Sequence, residues 1–356
     1  MNSRIRLKLL LLLLVLIIYL LWSIPPPPPS PKQIRLRFTY ENGDVIGGFA
    51  HKVAEAMTRL GVAVECRPQW DSADLFWHTS YRAHAWNRNP PFESHQLVWY
   101  NLENMQVPPS VGATILMTSK PAANIQNPRV LHVPWAWVAF EDRKHKPNAT
   151  FLLRGPRFDA RSVLASKSRF CSFFASFCLY EKSYLGIYGH HLNGIKQQRT
   201  IFYEQLNNTY KAVDALGGCY RNREQPPIPE SLRKKYPGWT YFDSFIYFMR
   251  DYKFVMSMEN WSSPGYFTEK LFNAYLGETI PIYWGAPDID EFVNTDAFVW
   301  CKQWDTCLKR VRELDENDDL YRHMLSQPIL KENKIPDWMS FDVLAKRLIR
   351  AWDIGE

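Results

Sequence analysis

The sequence predicts an α/β protein: two units of alternating strands and helices facing each other across a cleft, preceded by one apolar membrane helix. Three observations carry that expectation. Two long stretches alternate short β-branched or aromatic runs with segments of helical apolar spacing, which is the pattern of a parallel sheet covered on both faces. Between them, residues 135–168 are rich in charge and proline and show neither period, so they read as a linker. At the start, "LLLLLLVLIIYLLW", Leu9 to Trp22, is uninterrupted apolar sequence.

With Ile24 included, the apolar run is about 16 residues and rises roughly 24 Å as a helix, short of a hydrocarbon core of about 30 Å. A short span suits a thin membrane of the early secretory pathway. A cleaved signal peptide has an apolar region of similar length, but no small-x-small site follows, and "SIPPPPPSP" puts prolines where a peptidase would cut. Arg4, Arg6 and Lys8 on the amino side leave that end cytosolic and the body lumenal. Pro25 to Pro29 form an extended stem.

Charge excludes one class of partner. The net charge is +7, yet six of the 43 basic residues (Arg4, Arg6, Lys8, Lys32, Arg35, Arg37) precede the first acid, Glu41, leaving 37 bases against 36 acids. The body is nearly neutral, so the totals give no reason to expect a nucleic-acid footprint. Six cysteines suit an oxidising compartment. Fifteen pairings are open, with Cys301–Cys307 and Cys171–Cys178 as the local choices. Sequons stand at Asn148, Asn207 and Asn260.

The first unit, residues 34–150, opens on the strand "IRLRFTY". The helix "HKVAEAMTRLG" follows, with Val53, Ala56, Met57 and Leu60 on one face and Gly61 at its end. "VAVECRP", "ADLFWHTS", "QLVWYN", "ATILMTS" and "RVLHVP" are further strands. The second unit, residues 165–335, restarts with the strand "RFCSFFASFCL" and the helix "TIFYEQLNNTY", then a loop "GGCYRN". The strand "KFVMSMEN", a polar turn, a helix near "FTEKLFNAYLG" and the strand "TIPIYWG" complete it. Residues 336–356 form a last helix that crosses back. The remaining boundaries are a tail at 1–8, the span at 9–24 and the stem at 25–33.

The turn "ENWSSPGYFTEK", Glu259 to Lys270, lies where a parallel α/β sheet binds ligands, between the carboxyl end of a strand and a helix amino terminus. Free amides, a helix dipole and Lys270 favour a phosphate there. Glu269 would repel a phosphate and instead suits sugar hydroxyls, with Asn260 and Tyr266 available for sugar or base edges. Arg221 in "GGCYRN" can make paired bonds to a diphosphate. "DID", Asp288 to Asp290, imitates a manganese-binding Asp-x-Asp, but cationic side chains already cover the diphosphate. No metal is therefore expected to be required, although an added divalent ion could stimulate.

"FVMSMENWSSPGYFTEKLFNAYLGETIPIYWGAP" resembles the signature segment of the α1,3-fucosyltransferases, whose donor is GDP-fucose. "RTIFYEQLNNTYKAVDALGGCYRN" is similar to the upstream donor block of that family, and "LVWYNLENM" to the acceptor block ending in the general base. The resemblance implies a GT-B type fold of two Rossmann-like domains, the acceptor-side one first and the GDP-fucose-binding one second. It implies Arg221 and Lys270 on the diphosphate, Asn260, Tyr266 and Glu269 on nucleoside and fucose, and Glu103 as the base. A type II Golgi membrane enzyme with a glycan acceptor follows from the same likeness. A protein O-fucosyltransferase and an inactive lectin-like or scaffold member are the alternatives.

Overall fold

A computed structural model describes residues 33–40, 47–67, 75–80, 97–101, 115–118, 130–141, 149–179, 196–235 and 241–351. The expected apolar span at Leu9 to Trp22 and the general-base candidate Glu103 lie outside them. Among the described residues no helix is long and apolar enough to cross a membrane.

The short β-branched and aromatic runs pair into two parallel sheets. The first contains β1 (Gln33–Tyr40), β2 (Ala63–Arg67), β3 (Leu75–Ser80), β4 (Leu97–Asn101), β5 (Ile115–Thr118) and β6 (Val130–His132), in spatial order β2-β1-β3-β4-β5-β6. The second contains β7 (Arg169–Phe173), β8 (Val213–Ala215), β9 (Tyr252–Met258), β10 (Ile280–Trp284) and β11 (Val299–Trp300), in order β11-β10-β9-β7-β8. Every pairing is parallel. The strand read as "RFCSFFASFCL" stops at Phe173, and β8, only three residues long, escapes the sequence pattern.

Helices connect the strands. In the first half they are α1 (Gly47–Arg59) and α2 (Trp135–Glu141), followed by α3 (Ala160–Ala165). Between β7 and β10 come α4 (Gln198–Thr209), α5 (Glu230–Lys235), α6 (Tyr241–Met249) and α7 (Glu269–Leu276). The chain then forms α8 (Ile289–Phe292), α9 (Trp304–Glu316), α10 (Asp318–Ser326) and α11 (Phe341–Ala351). Gly61 ends α1 as expected, at φ 88°, a conformation that a residue with a Cβ adopts only with strain.

The stretch read as a linker begins with a helix instead. Ala136, Trp137 and Val138 of α2 are buried, and the Trp137 ring lies 4.9 Å from both Phe49 of α1 and Phe341 of α11. Two helical turns are too short for apolar periodicity to show, so burial against distant aromatics decides this segment. The last helix does cross back. Phe341 packs at 5.1 Å from Phe49, and Arg59 donates to Asp342 at 2.7 Å, an exposed pair that adds little beside the apolar contact.

The described residues hold together as one unit, and one apolar cluster explains why. Phe49, Val53 and Trp137 share it with Phe267, Leu271, Phe272 and Tyr275 around α7, and with Leu344 and Leu348 of α11. The helix that follows the polar turn is thus pressed between its own sheet and the first half of the chain.

Candidate functional site

In a parallel sheet all carboxyl ends lie on one edge. The loops after β7, β8, β9 and β10 therefore gather there, with β9 in the centre. Arg221 follows β8, while Asn260, Tyr266, Glu269 and Lys270 follow β9. These two strands are separated only by β7, so the loops emerge about 10 Å apart, two strand spacings.

The turn after β9 is built around a carboxylate. Glu259 is 0% exposed, and its amide donates to the Trp284 carbonyl at 2.8 Å. Its oxygens accept from the Thr268 amide at 2.7 Å and from the Thr268 hydroxyl at 2.8 and 3.0 Å. Lys270 Nζ donates to the same carboxylate at 3.2 Å and to Thr268 Oγ1 at 2.8 Å. Thr268 is the N-cap of α7. Burial pushes the Glu259 carboxyl up, and the Lys270 ammonium opposes that shift. Lys270 keeps 27% of its side chain exposed. Glu269 Oε1 stands 3.8 Å from Lys270 Nζ.

Three further bonds hold the turn. Asp288 accepts the Gly265 amide at 2.8 and 2.9 Å, which gives the first acid of "DID" a task within the protein. His132, at the end of β6, lies 3.1 Å from the Gly265 carbonyl, and the Ala136 amide donates to the Phe267 carbonyl at 3.1 Å. The first half of the chain thus clamps the loop of the second. Asn260 is half-buried. Tyr266 is 1% exposed, so its ring packs beneath the turn rather than standing open as the sequence reading placed it.

Arg221 sits on a loop pinned at both ends. A Cβ on Gly217 would stand 2.2 Å from the Ala175 carbonyl oxygen, and one on Gly218 2.6 Å from that of Ser176. Only glycine lets the two loops meet. Tyr220 adopts φ 53° and stacks on Tyr203 at 5.3 Å, which stacks on Phe173 at 5.0 Å. On the far side, Asn222 Oδ1 accepts the Ala215 amide at 2.7 Å, and its Nδ2 donates to the Val213 carbonyl at 2.9 Å. Arg221 itself is 52% exposed and pairs with Glu224, a surface partner that a diphosphate can replace. Gly217→Ala is expected to destabilise the fold by about 2 kcal/mol and weaken GDP binding. A urea midpoint and titration calorimetry check both.

The disulfides correct one local choice. Cys301–Cys307 forms as expected, with Cα atoms 4.9 Å apart, but Cys178 pairs with Cys219 across 5.0 Å, while Cys171 is a buried free thiol. Cys171 lies inside β7, and an extended strand carries the chain away at about 3.3 Å per residue, beyond the roughly 7 Å that a bridge tolerates. The bridge ties the loops after β7 and β8 two residues before Arg221. Removing it in a Cys178→Ala, Cys219→Ala protein is expected to cost about 4 kcal/mol, because it closes a 41-residue separation. It should also raise the donor KM, measured alongside thermal melting.

Glu259 carried no role in the sequence reading, although one signal was present: a carboxylate directly after an apolar central strand, nine residues before a threonine cap. Glu103 lies outside the described residues.

The model described as "Glycosyltransferase family 10 (fucosyltransferase) C-term" matches residues 182–326, which include every candidate donor residue. Over 148 residues the chain is 30% identical to Alpha-(1,3)-fucosyltransferase B of Drosophila melanogaster, covering 40% of this chain and 32% of that protein. Over 127 residues it is 28% identical to GDP-fucose protein O-fucosyltransferase 3 of Xenopus laevis, covering 35% and 26%. The chain thus spans about a quarter to a third of the length of these relatives. A crystal structure of an α1,3-fucosyltransferase with GDP superposes with a TM-score of 0.60 over 94% of both chains at 19% identity, a likeness of fold. The matched residues include both cationic loops at the sheet edge, and over this segment the chain is similar to glycosyltransferase family 10, the fucosyltransferases.

Proposed function

We propose that this chain transfers L-fucose from GDP-β-L-fucose, with inversion, to a hydroxyl of N-acetylglucosamine in a glycan, forming an α1,3 linkage. The observation that carries the reading is the Lys270 ammonium. It lies in the first turn of α7, fixed from below by Glu259 and Thr268, and stays partly exposed at the sheet edge that also bears Arg221.

The acceptor oxygen attacks the anomeric carbon as the bond to the β-phosphate oxygen breaks, and GDP leaves with the bonding pair. Negative charge grows on the diphosphate, where Lys270 and Arg221 meet it with cations that are already oriented. The amides at the start of α7 add the positive end of a helix dipole. Glu269 and Asn260 are placed for sugar and nucleoside hydroxyls, and Tyr266 supports the turn beneath them. Glu103 takes the proton of the acceptor hydroxyl. No metal is required in this scheme, because side-chain cations carry the leaving-group charge.

A protein acceptor is the second reading, favoured by the similarity to a protein O-fucosyltransferase. Transfer of radiolabelled fucose from its GDP donor to a panel of glycans and folded peptide domains separates the two. Label on N-acetylglucosamine-terminated or core glycans supports the first reading, label on peptide domains the second, and label on neither overturns both. With Leu9 to Trp22 as a signal-anchor, the catalytic body faces the Golgi lumen; retention of full-length chain in carbonate-washed membranes tests that anchor.

A further inference from the structure

We propose that Glu259 is a positioning residue for donor binding: its buried carboxylate holds Lys270 Nζ and the Thr268 cap so that the ammonium faces the diphosphate. This rests on the donor reading given above and extends it to a residue that reading does not use.

A fully buried carboxylate is costly unless it is paired and hydrogen-bonded. Glu259 satisfies both conditions entirely from the segment it precedes, accepting from Thr268 N, Thr268 Oγ1 and Lys270 Nζ. The turn between them, residues 260–267, is thereby closed into a ring whose two ends are one acid and one helix start. Space for that acid is kept by a second glycine. A Cβ on Gly285 would stand 2.5 Å from Glu259 Cγ and 2.5 Å from Tyr283 Oη. Tyr283 Oη in turn accepts the Ala286 amide at 3.0 Å, so the loop after β10 is shaped around the carboxylate as well.

The arrangement has a direction. Lys270 lies between two acids, Glu259 at 3.2 Å below and Glu269 at 3.8 Å beside it. While Glu259 is ionised, the ammonium is held down at the helix start. Without that charge the nearest acid is Glu269, and the ammonium swings toward a group needed for the sugar. Both the diphosphate and the sugar contacts suffer.

The test is a double-mutant cycle on GDP affinity, measured by calorimetry on the full chain, with Glu259→Gln and Lys270→Ala singly and together. Glutamine keeps one acceptor oxygen for Thr268 and replaces the other, together with the charge, by an NH2 donor. We expect Glu259→Gln to weaken GDP binding on the order of tenfold when Lys270 is present and less than about twofold when it is absent. Equal losses in both backgrounds, or no loss with Lys270 present, overturn the proposal. If Glu259→Gln does not fold, Gly285→Ala displaces the same carboxylate without removing its charge, and the same comparison applies. Failure of the unmodified protein to bind GDP overturns the donor reading and this inference with it. Binding with no coupling between the two sites overturns the inference alone.

Discussion

Replacing Lys270 by alanine is expected to lower kcat for fucosyl transfer by about 10²–10³-fold, the typical effect of removing one oriented donor from a site of developing charge. The same change acts on the fold, because it removes the ammonium from a carboxylate that is 0% exposed. Breaking a buried pair from one side costs about 3–5 kcal/mol. Glu259 answers by taking up a proton. Its pKa is already raised by burial, against the pull of Lys270, and without Lys270 it rises further. A carboxyl whose folded-state pKa lies above its unfolded value holds more protons when folded. Stability of Lys270→Ala should therefore be greatest below about pH 4.3, fall as pH rises, and level off above the folded-state pKa. Urea midpoints between pH 4 and 8 read this directly. Adding Glu259→Gln should flatten the profile and restore stability without restoring turnover. A variant that stays flat with Glu259 in place would contradict the burial argument.

Glu103→Gln should reduce kcat by about 10²–10⁴-fold while leaving GDP affinity within about twofold, because a base acts only as the acceptor hydroxyl loses its proton. The two changes thus divide the reaction between the halves of the chain. In the proposed reaction Lys270 governs donor binding and leaving-group charge, and Glu103 governs acceptor activation. A second signature accompanies the loss. The acidic limb of the kcat profile, set by ionisation of the base, should disappear in the glutamine variant. Near-normal turnover in Glu103→Gln would remove the base assignment and leave the donor site untouched.

Much of this site was legible in advance, for reasons that can be named. "KFVMSM" reads as a strand because four of its six residues are apolar, and a helix is expected near "FTEKLFNAYLG" from its regular apolar spacing. The loops bearing Arg221 and Lys270 announced themselves through glycine, proline and charge. Three features stayed hidden. The helix Trp135–Glu141 is too short to display a period and is held by Phe49 and Phe341, residues far away in the chain. The partner of Cys178 lies 41 residues on. Tyr266 reads as a polar handle, yet it is buried.

The amino-acid sequence by itself determined most of the strands and helices, though not β8 or the helix Trp135–Glu141, together with the two cationic loops and the segment that resembles the family signature, because apolar spacing, caps and turns are set by neighbours within a few residues. Only the tertiary structure decided that Glu259 would anchor Lys270, that Asp288 would hold Gly265, and that His132 and Ala136 would clamp the same turn. Those bonds join residues that local pattern leaves apart, and that become neighbours when the turn folds back on its own strand and the first half of the chain closes over it. Burial there makes each unpaired polar group costly, and so selects the partners.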